Sequence, residues 1–141
     1  MGLRAALRDR FQAWFPPKTL GQRGEALAAR FLRRRGYRVV ARGDRHKLGE
    51  LDIVAVDGRT VVFVEVKTRS TDEHGHPSDA VTPDKQRRLT RLALAFLKRH
   101  GLLETPARFD VVAITWPEHG RPKIEHLKNA FDAVGTKGFH S

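Results

Sequence analysis

The chain predicts an α/β fold with a small mixed central sheet flanked by helices, and three observations carry that expectation. Two segments with helical spacing of apolar residues bracket a run of three strand-like segments, and a further strand follows the second helix. Asp57-Gly58, a tight-turn signal, joins the second and third strands as antiparallel neighbours. The strand after the second helix needs a crossover and is expected to pair in parallel. A length of 141 residues suits one domain, and 40% hydrophobic with 30% charged residues is globular usage, without a membrane-spanning run.

Each element has a local reason. Leu3, Ala6, Leu7, Phe11 and Trp14 fall at helical spacing among Arg4, Arg8 and Arg10, and Pro16-Pro17 stops the pattern. This cationic amphipathic helix is an extension, residues 1–18, that packs on its own domain or a partner. Membrane docking through residues 1–17 is the less favoured reading. It lacks the apolar core of a signal peptide, so a cytoplasmic location is expected.

A second helix starts at Thr19, buries Leu20, Leu27, Phe31 and Leu32, and ends at Gly36 as a left-handed cap. Residues 37–42, 50–56 and 61–67 read as strands, and residues 68–83 are polar and turn-rich. Thr82-Pro83 opens the next helix, whose apolar side is Leu89, Leu92, Ala93, Phe96 and Leu97 and whose end is Gly101. Residues 108–115 form a clear strand and 124–127 a short edge strand. The domain therefore runs over 19–131, with a loose tail from 132 to 141.

The absence of cysteine excludes a disulfide framework, a thiolate metal site and a Cys nucleophile. Lys and Arg number 27 against 16 Asp and Glu, a net +11, and residues 1–50 hold 13 of those cations against 4 acids. Such a cation points to nucleic acid, because neutralising each phosphate releases counterions. Arg23, Arg33, Arg34, Arg69, Arg87 and Arg88 are the candidate phosphate contacts, since arginine grips phosphate with a planar fork. His74 and His76 in the polar loop read as solvated rather than ligating.

Charges inside the two hairpin strands need an explanation, because a buried charge is costly unless paired or ligating. A two-residue loop at Asp57-Gly58 would set Glu50 opposite Glu65 and Asp52 opposite Phe63, whereas a four-residue loop would set Asp52 opposite Glu65. Either loop puts Glu50, Asp52, Glu65 and Lys67 on one face, because side chains alternate with period two. Three carboxylates on one face call for a hard divalent cation, magnesium or manganese, with Asp52 and Glu65 as ligands and Glu50 in reach. Lys67 would orient water or neutralise charge at a reacting phosphate. Glu25, seven positions before Leu32, sits at the edge of the buried helix stripe and can join them. A Glu65–Lys67 salt bridge on a solvated strand is the plainer alternative.

Gln22-Arg23-Gly24-Glu25, Gly49-Glu50-Leu51-Asp52, Phe63-Val64-Glu65-Val66-Lys67-Thr68-Arg69, Ala80-Val81-Thr82-Pro83-Asp84-Lys85-Gln86-Arg87-Arg88 and Arg108-Phe109-Asp110-Val111-Val112 follow one another in order. Together they resemble the YraN-like family of predicted endonucleases. The helix Glu, the Asp strand and Glu-x-Lys resemble the PD-(D/E)xK superfamily, whose fold is restriction-endonuclease-like, and are similar to archaeal Holliday-junction resolvases. Leu51 stands where the superfamily's nominal motif has proline.

The resemblance spans residues 20–131 and implies an α-β-β-β-α-β core. It implies Asp52 and Glu65 as metal ligands, Lys67 as the catalytic lysine, Glu25 as a further acid and Gln86 as a helix residue lining the site. A metal-dependent nuclease acting on DNA, branched or junction DNA by resemblance, is the expected function, with a symmetric homodimer. The alternative is a non-catalytic nucleic-acid-binding adaptor that keeps the fold; Asp52→Ala and Glu65→Ala would separate the two.

Overall fold

Central strands that are apolar on both faces must be covered twice, and this chain sets one helix on each face. The computed structural model describes residues 19–71, 75, 76, 79 and 81–134; the helix expected at residues 1–15 and most of the expected tail lie outside them. The elements are α1 (Leu20–Arg34), β1 (Arg38–His46), β2 (Gly49–Asp57), β3 (Thr60–Ser70), α2 (Pro83–Arg99), β4 (Ala107–Trp116) and β5 (Lys123–Phe131). The strands lie in sequence order across a five-stranded mixed sheet. Only β3 and β4 pair in parallel, with α2 as the crossover that the sequence predicts.

The helix ends follow their capping chemistry. Thr19 Oγ1 accepts the Gln22 N–H at 3.1 Å while Thr19 N–H donates to Gln22 Oε1 at 3.0 Å, a reciprocal cap that satisfies two orphan donors. Gly36, with φ of +91°, follows the last turn of α1. Thr82 caps α2 by accepting the Lys85 N–H at 3.2 Å, and Pro83 occupies its first position.

Two apolar layers hold the sheet. Ala28, Ala29 and Leu32 of α1 pack on Ile53, Ala55, Val62, Val64, Val112 and Ile114. Leu89, Leu92, Ala93, Phe96 and Leu97 of α2 pack on Val54, Val61, Phe63, Phe109 and Val111. Burying each of the Leu, Ile, Val and Phe side chains among them contributes about 1.5–3 kcal/mol. β5 runs longer than the short edge strand expected at 124–127, because Phe131 stacks on Phe109 with ring centroids 4.6 Å apart. At the end of the described chain, Val134 N–H donates to the buried Thr90 hydroxyl at 3.1 Å.

The hairpin differs from the Asp57-Gly58 turn. Asp57 pairs with Thr60 and Val56 with Val61, so the loop residues are Gly58 and Arg59. This is the register that the four-residue alternative predicts, closed by one more pair. Asp57 stays in the strand because its Oδ2 accepts from Arg108 at 3.0 Å.

Arg108 also serves a buried acid on its own strand. Asp110 is fully buried and accepts from Arg108 Nε at 3.0 Å and Asn129 N–H at 2.9 Å, with His126 Nε2 at 2.8 Å. Asn129 has φ of +51°, a left-handed conformation that asparagine tolerates and that turns its N–H toward the carboxylate. Burial pushes the Asp110 carboxyl up, but the His126, Arg108 and Asn129 hydrogen bonds outweigh it and hold it below 3.8. The charged form is thus favoured by folding: its stabilisation is present above pH 3.8 and is lost as pH falls through the lower folded value. Asp110→Ala removes the acid shared by Arg108, His126 and the Asn129 N–H, while Asp57 still pairs with Arg108, and is expected to cost about 1–3 kcal/mol in urea denaturation at pH 7, with the deficit shrinking below pH 4.

Candidate functional site

The site forms where β2 and β3 part. Their ladder runs to Ile53 opposite Val64, and one step further the same register sets Asp52 opposite Glu65. There the strand bond is replaced by a side-chain bond: Val66 N–H donates to Asp52 Oδ2 at 2.9 Å. Asp52 is thereby pinned in the fork between two strands, and the Val66 N–H keeps a partner.

Acids reach this fork from both sides. Carboxylate oxygens of Glu25, Glu50 and Asp52 all lie within 4.8 Å of one another. Glu65, 7% exposed, stands outside that trio but next to Asp52, on the α2 side of the sheet by alternation with Phe63. Burial first, then the charge of Glu65, pushes the Asp52 carboxyl up to about 7; the Val66 N–H opposes this and Glu25 adds to it. Burial and neighbouring Glu50 likewise raise Glu25 above 4.5, against the pull of Arg42.

Three of the four acids have a cation and the central one has none. Arg42 Nε lies 3.6 Å from Glu25, Arg45 Nε lies 3.5 Å from Glu50, and Lys85 Nζ pairs with Glu65. Among the described residues no cation pairs with Asp52. Lys67 is exposed two residues beyond Glu65 and, among the described residues, forms no ion pair. Hard oxygen donors converging on a central acid short of positive charge are a donor set for magnesium or manganese.

Glu25 arrives through a close helix approach. A Cβ added at buried Gly24 would collide with Thr68 Oγ1 and lie 3.2 Å from Thr68 Cβ. Glycine therefore lets α1 touch β3 one residue past Lys67, and the next helix residue is Glu25.

The model of the uncharacterised protein family UPF0102 matches residues 24–114. The chain belongs to the UPF0102 family. UPF0102 proteins of Geobacter sulfurreducens and Geotalea uraniireducens are 56% and 52% identical over 115 residues, which is 82% of this chain and 90% and 91% of theirs. One from Rhodopirellula baltica is 50% identical over 125 residues, 86% of this chain and 75% of its own. The UPF0102 match takes in every acid of the fork, Lys67 and Lys85.

The other sequence-predicted residues of this UPF0102 chain each have a defined place. Gln86, in the first turns of α2, donates from its amide Nε2 to Val81 O at 3.0 Å, which ties down the entry to that helix. The neighbouring residue, Lys85, reaches Glu65. Arg69 is largely buried and turned inward to Thr115 Oγ1 at 3.1 Å and Gly75 O at 2.7 Å, with Glu125 at 3.8 Å, so it is not a free phosphate contact. Arg87 is exposed and pairs with Asp84. Arg88 is exposed beside Gly49, at the rim of the fork. Arg23 lies over the Trp116 ring at 4.7 Å. Arg33 and Arg34 occupy the last turn of α1, more than two turns from Glu25, where cations suit the helix dipole. His76 is exposed, and His74 lies outside the described residues. Among the described residues no helix is long and apolar enough to cross a membrane.

Lys85, Arg42 and Arg45 were not legible as site residues. One signal existed for Lys85: a cation in a helix's first turn opposes the dipole by about 0.3–1 kcal/mol and so needs a partner.

Two outcomes follow for the metal-free protein. The folded chain keeps the Asp52 proton that the unfolded chain sheds between pH 3.8 and about 7, so this group lowers stability as pH rises through that window. Asp52→Asn is expected to raise the melting temperature by a few degrees at pH 8 and to change it little at pH 3.5. Gly24→Ala, by forcing α1 off Thr68, is expected to cost about 1–3 kcal/mol in chemical denaturation.

Proposed function

We propose that this chain is a divalent-metal-dependent nuclease that hydrolyses DNA phosphodiester bonds. The observation that carries the reading is Asp52, held in the strand fork among Glu65, Glu25 and Glu50 with no cation paired to it among the described residues. The motif order, the sheet and the two helices are similar to the PD-(D/E)xK superfamily, and the similarity to archaeal Holliday-junction resolvases suggests branched or junction DNA. Cutting both arms of a junction takes two sites, which a twofold homodimer would supply. A cytoplasmic location suits that substrate.

Asp52 and Glu65 would hold magnesium or manganese, with Glu25 and Glu50 placed to complete the oxygen set. When bound, the ion supplies charge stabilisation at the phosphate and lowers the pKa of attacking water. The remaining work falls to the chain. Lys67 presents an exposed ammonium, without an ion pair among the described residues, two positions from Glu65, where it orients water and offsets charge growing on the phosphoryl oxygens. The Val66 N–H keeps the Asp52 carboxylate aimed. Exposed Arg23, Arg87 and Arg88 bind the flanking backbone, with Arg33 and Arg34 extending the cation along α1.

A labelled panel of linear duplex, single strand, flap and four-way junction, incubated with magnesium, manganese or chelator, tests this. Cutting is expected only with metal, and Glu65→Ala and Lys67→Ala should each lower its rate about 100-fold or more. Cutting that persists in chelator and in both variants would sink the assignment. Tight binding without cutting under any metal would favour the adaptor.

A further inference from the structure

We infer that Lys85 is the resident counter-ion of the metal-free site, the positioning group that a divalent cation must displace from Glu65. The inference rests on the metal-site reading above and adds how the site is loaded.

Of the three acids at the fork that pair with a cation, Glu65 is the most buried, its side chain 8% exposed against 21% for Glu25 and 38% for Glu50. A charge in that position cannot rely on water, so its partner cation matters more than those of the outer acids. That partner is Lys85. The pairing of Arg45, 87% exposed, with Glu50 is by contrast a surface contact.

Lys85 is also built to leave. Its backbone is fixed, since its N–H donates to the Thr82 cap at 3.2 Å and Gln86 anchors the same turn to Val81. The ammonium sits at the end of a flexible four-carbon stem, and the side chain as a whole is 36% exposed. It can swing to solvent without moving α2. A lysine in the first helical turn faces the positive end of the dipole, so the helix itself favours that release.

Lys85 holds Glu65 through Oε1, and an ammonium beside a dication on one poorly hydrated carboxylate repels it. Metal entry and Lys85 release are therefore two halves of one exchange, and Lys85 keeps Glu65 from repelling Asp52 until the exchange occurs. Freed, the ammonium stands at the mouth of the fork, available to an anionic substrate.

Calorimetric titration of magnesium into the full chain without nucleic acid tests the exchange. Lys85→Met and Lys85→Gln should each bind magnesium about tenfold more tightly than wild type, because the competitor is gone. In parallel, the metal-free melting temperature of Lys85→Met should fall and saturating magnesium should restore it. Lys85→Gln keeps a donor for Glu65 and carries the comparison if Lys85→Met does not fold. Unchanged or weaker binding in the Lys85 variants, with wild-type binding abolished by Glu65→Gln, overturns the exchange and leaves the metal site standing. A wild-type chain that takes up neither magnesium nor manganese overturns both.

Discussion

One hydrogen bond organises this molecule: the Val66 amide donating to the Asp52 carboxylate at 2.9 Å. In an unbroken antiparallel ladder that amide would face Leu51. By accepting it instead, a side chain opens the strands without leaving a donor unpaired, and the opening is what admits acids from either face. Were the ladder to continue, Asp52 would be one more cross-strand neighbour of Glu65. Parted, the strands let Asp52 face Glu65 and the Glu25–Glu50 pair together, with a raised carboxyl as the electrostatic consequence.

The two helices meet this fork in opposite ways. α1 comes close by having no side chain at Gly24, so it delivers an acid on a short arm. α2 stands back and delivers a cation on a long one, Lys85. The same sheet therefore has a rigid negative contribution from one face and a movable positive one from the other. On β4, where Asp110 lies in register with Val64 of β3, Asp110 and Arg108 lock β2, β4 and β5 together through Asp57, His126 and Asn129. Stiffness is concentrated in this network beside the fork, and the freedom that remains lies in the side chains around it.

Periodicity made most of the fold legible. Apolar spacing marked both helices, and Thr19, Gly36 and Thr82 marked ends that the structure places within a residue or two. Strand alternation was enough to bring Asp52 and Glu65 together, because both loop lengths considered kept the same parity. The turn itself was misplaced, since Asp57 also serves Arg108, a partner 51 residues away that no local pattern reveals. Arg69 turned inward for a related reason: a polar side chain on the right element can turn to a backbone carbonyl or a neighbouring strand, and only tertiary packing decides which. Lys85 went unseen because helical spacing describes faces, whereas its reach depends on a stem that crosses from one element to another.

The outer strands carry a further consequence. β1 ends the sheet on one side with a bulge between Val39 and Ala41 and with Arg38, Arg42 and Arg45 along its length. β5 ends it on the other with an irregular step against β4, the left-handed Asn129, and Lys123 and Lys128. Kinks and like charges at both rims make a poor template for a sixth strand. A chain this basic would be crowded along any polyanion it binds, and such margins let many copies sit side by side there without fusing their sheets into fibres.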